Sequence, residues 1–266
     1  MSIILTRAEN GVEYMKSDII PTKHGFSTRV GGVSSEKHTE SLNLAFGRGD
    51  DKGTVLRNLE LFAEAVGVEA ESIVSRHQIH SARVVYADES LRGEGYFRES
   101  GEGCDGYVTD KAGVTLGVKT ADCVPILFCE PDARVIGAVH AGWRGTASGI
   151  AGECVCEMEK LGADRRKIRA AIGAAIHFCC YEVGEDFRES VVSLAGEEMA
   201  SEFIRPVDGK LHADIVGMNR KTLLDSGICN ENIDICEKCT CCEADKFYSH
   251  RYSHGLRGTM LSIISL

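Results

Sequence analysis

Apolar positions fall mostly in short runs broken by polar, glycine-bearing turns, and a few stretches carry the three-and-four spacing of an amphipathic helix. The most informative stretch is 113–162. Its apolar runs 124–129 and 134–139 flank Glu130-Pro131-Asp132-Ala133, a four-residue turn of the kind that closes a hairpin. A symmetric turn sets Val124 opposite Val139 and Cys123 opposite His140. Next, Gly142-Trp143-Arg144-Gly145 turns the backbone sharply and Thr146 is a suitable N-cap. Ala147, Ile150, Cys154, Met158 and Leu161 then predict a helix over 146–161 that Gly162 stops.

Elsewhere, 1–22 reads as a short strand pair turning at Gly11. Val55, Leu59, Phe62 and Val66 form a helical stripe ended by Gly67. Strands are expected at 73–74, 82–87, 107–109, 168–172, 232–236 and 259–264, and helices at 186–195 and 212–225. The segment 41–46 alternates weakly. The polar, Gly-rich segment 91–106 reads as a mobile loop. It contains Gly101-x-Gly103-x-x-Gly106, but this neither follows a strand nor opens a helix, so it is no dinucleotide fingerprint. Strands and helices mix without strict βαβ alternation, and no linker or repeat interrupts them. The expectation is an α+β fold in a single domain over 1–266.

Charge and cysteines narrow the class. The net charge is −10, from 30 basic and 40 acidic residues, which argues against a general nucleic-acid surface. No run approaches ~20 uncharged apolar residues and the N-terminus has no signal-peptide core, so neither a membrane span nor export is expected. Twelve cysteines, several adjacent, suit a reducing compartment and a cytoplasmic protein. The tail Cys236-x-x-Cys239-x-Cys241-Cys242 offers thiols for zinc, but the second ligand pair would have to come from elsewhere in the chain. Free thiols are the simpler account.

The candidate chemistry lies in the central hairpin. Residues opposite each other on antiparallel strands hold their Cβ atoms ~5 Å apart, so a thiol and an imidazole there can share one metal ion or one proton. A one-residue slip would put them on opposite faces. Cys123 and His140 are each, taken alone, ordinary core residues. Their pairing beside Arg144 and a helix N-terminus points to a site that also favours an anion. Gln78 and His80 sit on one face just before the 82–87 strand.

Thr120-Ala121-Asp122-Cys123 followed by His140-Ala141-Gly142-Trp143-Arg144-Gly145 closely resembles the YfiH family. That family was labelled multicopper polyphenol oxidase or laccase-domain and is now regarded as zinc-dependent purine nucleoside phosphorylases. Phe26-Ser27-Thr28-Arg29-x-Gly31-Gly32-Val33-Ser34, Ser41-Leu42-Asn43-Leu44, Gln78-Ile79-His80, Asp105-Gly106-Tyr107-Val108-Thr109, Cys180-Tyr181-Glu182-Val183-Gly184, Cys239-Thr240 and Phe247-Tyr248-Ser249-His250-Arg251 are similar to its other motifs. The tail cysteines are extra to its pattern, and Ala174 and His177 depart from it.

The resemblance implies a mixed β-sandwich flanked by helices, with zinc held by His80, Cys123 and His140 as both ligands and catalytic centre. It implies phosphorolysis of adenosine, inosine, guanosine or methylthioadenosine, with adenosine deamination as a further activity. Arg29, Asn43, Arg144 and Tyr248 are the candidates for substrate and phosphate, since guanidinium pairs bidentately with phosphate. The partners are then a purine nucleoside and phosphate, with no nucleic acid or membrane, in a monomer or weak homo-oligomer. A copper-dependent polyphenol oxidoreductase is the less favoured reading, because a multicopper site needs many imidazoles, commonly as His-x-His, and this chain has nine His and no such pair. Two further alternatives are a thiol hydrolase with Cys123 as nucleophile and His140 as its base, and a redox or metal-handling protein.

Overall fold

The computed structural model describes residues 3–266. In chain order the strands are β1 (Ile3–Arg7), β2 (Glu13–Ser17), β3 (Lys23–Ser27), β4 (Ile73–Val74), β5 (Val84–Tyr86), β6 (Gly106–Thr109), β7 (Thr115–Thr120), β8 (Val124–Glu130), β9 (Val135–Ala141), β10 (Arg169–Ile172), β11 (Glu182–Val183), β12 (Ile204–Val207), β13 (Lys210–Ala213), β14 (Ile233–Ile235) and β15 (Met260–Ser265). The helices are α1 (Lys52–Val66), α2 (Trp143–Ala147), α3 (Ile150–Lys160), α4 (Glu185–Ala195), α5 (Glu197–Phe203) and α6 (Ile215–Asp225). One six-stranded sheet has the order β1-β2-β3-β15-β7-β4 and a second β14-β10-β8-β9-β6-β5; β11-β13-β12 form a small third sheet. The pairs β4–β7, β5–β6 and β10–β14 are parallel, so both large sheets are mixed.

Side-chain alternation decides what fills each layer. On β8 and β9, Leu127, Cys129, Ile136 and Ala138 join Phe26, Leu116 and Val118 of the first sheet. The alternate residues Ile126, Phe128, Val135 and Val139 join Ile150, Cys154 and Met158 of α3. Both faces are covered, so every position of the two strands is buried and the sequence reads as unbroken apolar runs. On the other side of the first sheet, Leu59 and Phe62 of α1 cluster with Tyr14, Ile73, Leu261 and Ile263. The layers are helix, sheet, sheet, helices: the α+β class expected from the sequence, in the mixed β-sandwich flanked by helices that the resemblance implies.

Several local expectations shift. Glu130 ends β8 rather than opening the turn, and its carboxylate accepts the Asp132 and Ala133 N–H groups, each at 3.0 Å. The turn is therefore Pro131-Asp132-Ala133-Arg134, which sets Pro125 opposite His140 and Val124 opposite Ala141. The predicted 146–161 helix is two pieces. Gly142 caps α2, and Gly149, at φ 77°, breaks the chain before α3. Thr146 is no cap; its hydroxyl accepts from Asn219 Nδ2 at 2.9 Å. His212 belongs to β13, and the following helix starts only after Asp214, whose carboxylate caps Gly217 N–H. The 91–106 loop is tied down by an Arg76–Glu94 ion pair and by Tyr96, whose hydroxyl donates to Leu44 O at 2.6 Å. Among the described residues no helix is long and apolar enough to cross a membrane.

Candidate metal centre

The centre forms where the chain crosses between the two large sheets. β7 ends at Thr120 in the first and β8 starts at Val124 in the second, leaving Ala121-Asp122-Cys123 as the bridge. Asp122 sits at φ 86°, a conformation that costs energy for a residue with a Cβ. Three hydrogen bonds hold it there. Its carboxylate accepts from Thr240 Oγ1 at 2.6 Å and from Arg251 N–H at 2.7 Å, and its carbonyl accepts from Ile176 N–H at 2.8 Å. His140 is the penultimate residue of β9, and the observed register sets position 142 opposite Cys123, two residues on from the expected partner His140. A two-residue shift preserves the face, so thiol and ring still meet.

His80 comes from the loop between β4 and β5, also at positive φ, 59°. Asp105, fully buried, shapes that loop: its carboxylate accepts the N–H groups of Ile79, His80 and Ser81 at 3.2, 3.0 and 2.8 Å. The same carboxylate accepts His140 Nδ1–H at 2.9 Å, which leaves Nε2 as the free ring nitrogen. One ligand atom from each of His80, Cys123 and His140 lies within 4.8 Å of the others, and the two rings meet edge to face. Gly142 packs against all three. A Cβ there would stand 2.8 Å from His80 Cδ2, 3.3 Å from His140 Cε1 and 3.5 Å from Cys123 Sγ.

The electrostatics prepare the thiol. Burial pushes the Cys123 thiol up, but the His140 and His80 rings outweigh it and bring it down to about 6. Burial disfavours a charged His140, yet Cys123 and Asp105 raise it to about 9. Burial also pushes Asp105 up, and its hydrogen bonds from His140 and Ser81 bring it down to about 2. A thiolate is the form that binds metal. Two imidazoles and a thiolate with a fourth corner open, one imidazole oriented by a carboxylate, fit a catalytic metal ion.

The centre opens into a cavity of about 270 Å³, near the small end of ligand pockets, which run ~300–1,000 Å³. Arg48, Lys119 and Arg257 line it, with the aromatic pair Phe46 and Tyr96, and no carboxylate does. Arg257 donates Nη1 to Gly258 O and Thr259 Oγ1, while its buried Nε has no partner. Burial and the nearby Arg48 lower it to about 10. Lys119 donates to Ser75 O at 3.1 Å and lies 5.2 Å from the Tyr96 ring centre; burial lowers it to about 8.

Sequence reading brought forward His80, Cys123 and His140, and the structure brings them together. Its four substrate candidates lie outside the cavity lining. Asn43 is fully buried, donating to Asp50 at 2.8 Å and accepting Thr259 N–H at 3.0 Å. Tyr248 is buried with its hydroxyl donating to Thr39 O and Glu40 O, and Arg29 stacks on its ring at 4.6 Å. Arg144 stacks on Trp143 at 4.3 Å and faces a separate cleft beside Asp186 and Glu189. The residues missed are Asp105, Arg48, Lys119 and Arg257. Of these only Asp105 stood in a quoted motif, and nothing local marked its carboxylate as the one that meets His140.

Four layers around two histidines and a cysteine that could hold a metal ion, at a sheet-to-sheet crossing, define a β-sandwich protein with a candidate metal site. The family profile described as multi-copper polyphenol oxidoreductase laccase matches residues 23–266, and the chain belongs to this family, whose structural neighbours include YfiH and YlmD. It is 38% identical over 243 residues to purine nucleoside phosphorylase YlmD of Geobacillus stearothermophilus, covering 90% of this chain and 88% of that protein. It is 35% identical over 246 residues to an adenosine deaminase from an unknown prokaryotic organism, covering 90% and 94%. The crystal structure of a hypothetical protein YfiH of Bacillus licheniformis superposes with a TM-score of 0.90 at 30% identity, over 98% of both chains. That of the Geobacillus YlmD gives 0.89 at 34% identity, over 99% of this chain and 98% of the other. The ligand set sits poorly with the multi-copper label. Among the described residues, the groupings of three or more ligand side chains are this one and an all-cysteine cluster, so no cluster of imidazoles alone is present.

Proposed function

We propose that this chain is a zinc-dependent purine nucleoside phosphorylase, with adenosine deamination as a second activity of the same cavity. The observation that carries the reading is the opening of the two-histidine, one-cysteine centre into a cavity with three cationic side chains and no acidic one. The names of the relatives support both activities.

In phosphorolysis a phosphate oxygen bonds to the anomeric carbon of the ribose. The glycosidic bond breaks, and its electron pair leaves with the purine, which takes up a proton. Free base and ribose 1-phosphate result. His80, Cys123 and His140 hold the zinc, which supplies a fixed positive charge and Lewis acidity at the cavity wall. Arg48 and Arg257 are assigned the phosphate: the unpartnered Arg257 Nε is a donor waiting for an acceptor, and two guanidinium groups in one cavity repel until an anion sits between them. Phe46 and Tyr96 offer apolar edges to the base. Asp105 orients His140 and holds the His80 loop. The twelve free thiols favour a reducing cytoplasm as its place of work.

The thiol-hydrolase reading gains one feature, since Asp105, His140 and Cys123 run in the order of an orienter, a base and a nucleophile. His80 weighs against it: a dyad has no use for a second imidazole on the thiol. The test is incubation with a nucleoside panel, with and without phosphate, separating products by chromatography. Free base that appears only with phosphate supports phosphorolysis, and inosine formed from adenosine without phosphate supports deamination. If neither appears with the metal-loaded protein, the reading fails.

A further inference from the structure

The cysteines of the tail acquire partners from a distant segment. Cys179 and Cys180 lie in the turn between β10 and β11, and the parallel bridge of Ala175 with Cys239 brings that turn beside the tail. The Thr240 N–H donates to Ala175 O at 2.9 Å and fixes the contact. The Sγ atoms of Cys179, Cys180, Cys239 and Cys242 all lie within 4.8 Å of one another. Cys180–Cys242 stand at 3.3 Å, Cys179–Cys242 at 3.6 Å and Cys179–Cys180 at 3.8 Å. No pair is bonded. Cys236 is not a member, because its thiol is buried against Met15 Sδ at 3.7 Å.

Three features of this cluster go beyond chance thiol packing. One metal ion with four sulfurs at ~2.3 Å in a tetrahedron sets neighbouring sulfurs ~3.8 Å apart, and here three pairs stand at 3.3 to 3.8 Å with all four sulfurs within 4.8 Å of one another. An iron–sulfur cluster spreads its thiolates over several metal ions and needs them further apart. Cys239 and Cys242 stand as a Cys-x-x-Cys pair, the usual half of such a site, and Cys179-Cys180 supply the other half. The Cys239 sulfur accepts the His177 N–H at 3.4 Å and hydrogen bonds from the backbone of Cys241 and Cys242. A neutral thiol is a weak acceptor, whereas a thiolate gains from several N–H donors.

We propose a second metal site in this protein, a closed four-thiolate site for a single zinc ion at Cys179, Cys180, Cys239 and Cys242. All four corners belong to the protein, so the ion is structural rather than catalytic. Its place in the fold gives it work to do. It pins the 176–181 turn to the tail at the point where Thr240 reaches Asp122, whose strained backbone aims Cys123 into the first centre. The site rests on its own residues and stands or falls apart from the phosphorylase reading.

The test uses full-length protein purified with reductant, without chelator, and supplied with zinc. Zinc is counted per chain by mass spectrometry of the metal in wild type and in a His80→Ala/Cys123→Ala protein, which lacks the first centre. Wild type is expected to hold two ions and the double variant one. X-ray absorption at the zinc edge of the double variant is expected to show four sulfur neighbours at ~2.3 Å and no nitrogen. Adding Cys242→Ser, at an exposed position chosen to spare the fold, is expected to remove that last ion and lower the thermal midpoint. The proposal is overturned if the double variant holds no zinc, if its ion has nitrogen or oxygen neighbours, if iron with inorganic sulfide is found instead, or if the reduced protein keeps a Cys180–Cys242 disulfide.

Discussion

His140 Nδ1 donates to the Asp105 carboxylate at 2.9 Å, and that one carboxylate also gathers the N–H groups of Ile79, His80 and Ser81. A single buried residue thus orients the His140 ring and shapes the loop that carries His80. Replacing such a partner costs ~10- to 100-fold in metal affinity or activity. Asp105→Ala is expected to weaken zinc binding within that range and to lower turnover in parallel. Competition against a chromophoric chelator measures it; unchanged affinity contradicts the role given to Asp105.

Gly142 leaves no room for a methyl group beside His80 Cδ2, His140 Cε1 and Cys123 Sγ. Gly142→Ala is expected to displace the exposed and more movable His80 ring, so that metal is lost while the β-sandwich persists. Circular dichroism like that of wild type, with bound zinc falling at the first centre, is the predicted combination. Full metal retention would show that the contact relaxes without consequence.

Arg48 and Arg257 are assigned to phosphate, and Arg144 is not. A hydrogen bond to a charged group contributes ~1.5–3 kcal/mol, or ~10- to 150-fold. Arg257→Met and Arg48→Met are each expected to raise KM for phosphate by about that range, leaving KM for the nucleoside less affected. Arg144→Met, exposed on another cleft, is expected to change neither by more than about twofold, in line with the small effect of surface substitutions. Initial rates over a phosphate series decide it; a large effect at Arg144 alone would return the anion to the α2 side.

Burial lowers Lys119 from 10.5 to about 8. In the unfolded chain this lysine takes its proton below about 10.5, and in the fold only below about 8. Between these values the unfolded state binds more protons, so this group makes stability rise with pH across the window. Urea midpoints at several alkaline pH values for wild type and Lys119→Met are expected to converge toward the upper end of the window. Below about pH 8 the difference becomes constant, with wild type having lost stability relative to Lys119→Met. A difference independent of pH across the window contradicts the burial effect.

What was legible in the sequence follows from what periodicity encodes. β8 and β9 are covered on both faces, so their apolar runs stood out, and Gly67, at φ 82°, stopped α1 where the stripe ended. The pairing of Cys123 with His140 survived a misplaced turn because the Glu130 side chain moved the register by two, which keeps residues on their face. The short α5 buries little beyond Ala200 and offers no stripe to read. Arg48, Lys119 and Arg257 reach one cavity from three distant parts of the chain, a convergence no spacing encodes. The two halves of the cysteine cluster were visible separately, and the sheet connection at Ala175 and Cys239 is what joins them.

The most direct test of the central claim is phosphorolysis measured against metal content at the centre formed by His80, Cys123 and His140. Protein stripped by chelator and reloaded in steps is assayed for free base released with phosphate present. The account predicts that activity disappears with the metal and returns in proportion to zinc restored, and that Cys123→Ser neither binds at this centre nor cleaves. Metal-free protein that still cleaves, and stops only when Cys123 is alkylated, would contradict it.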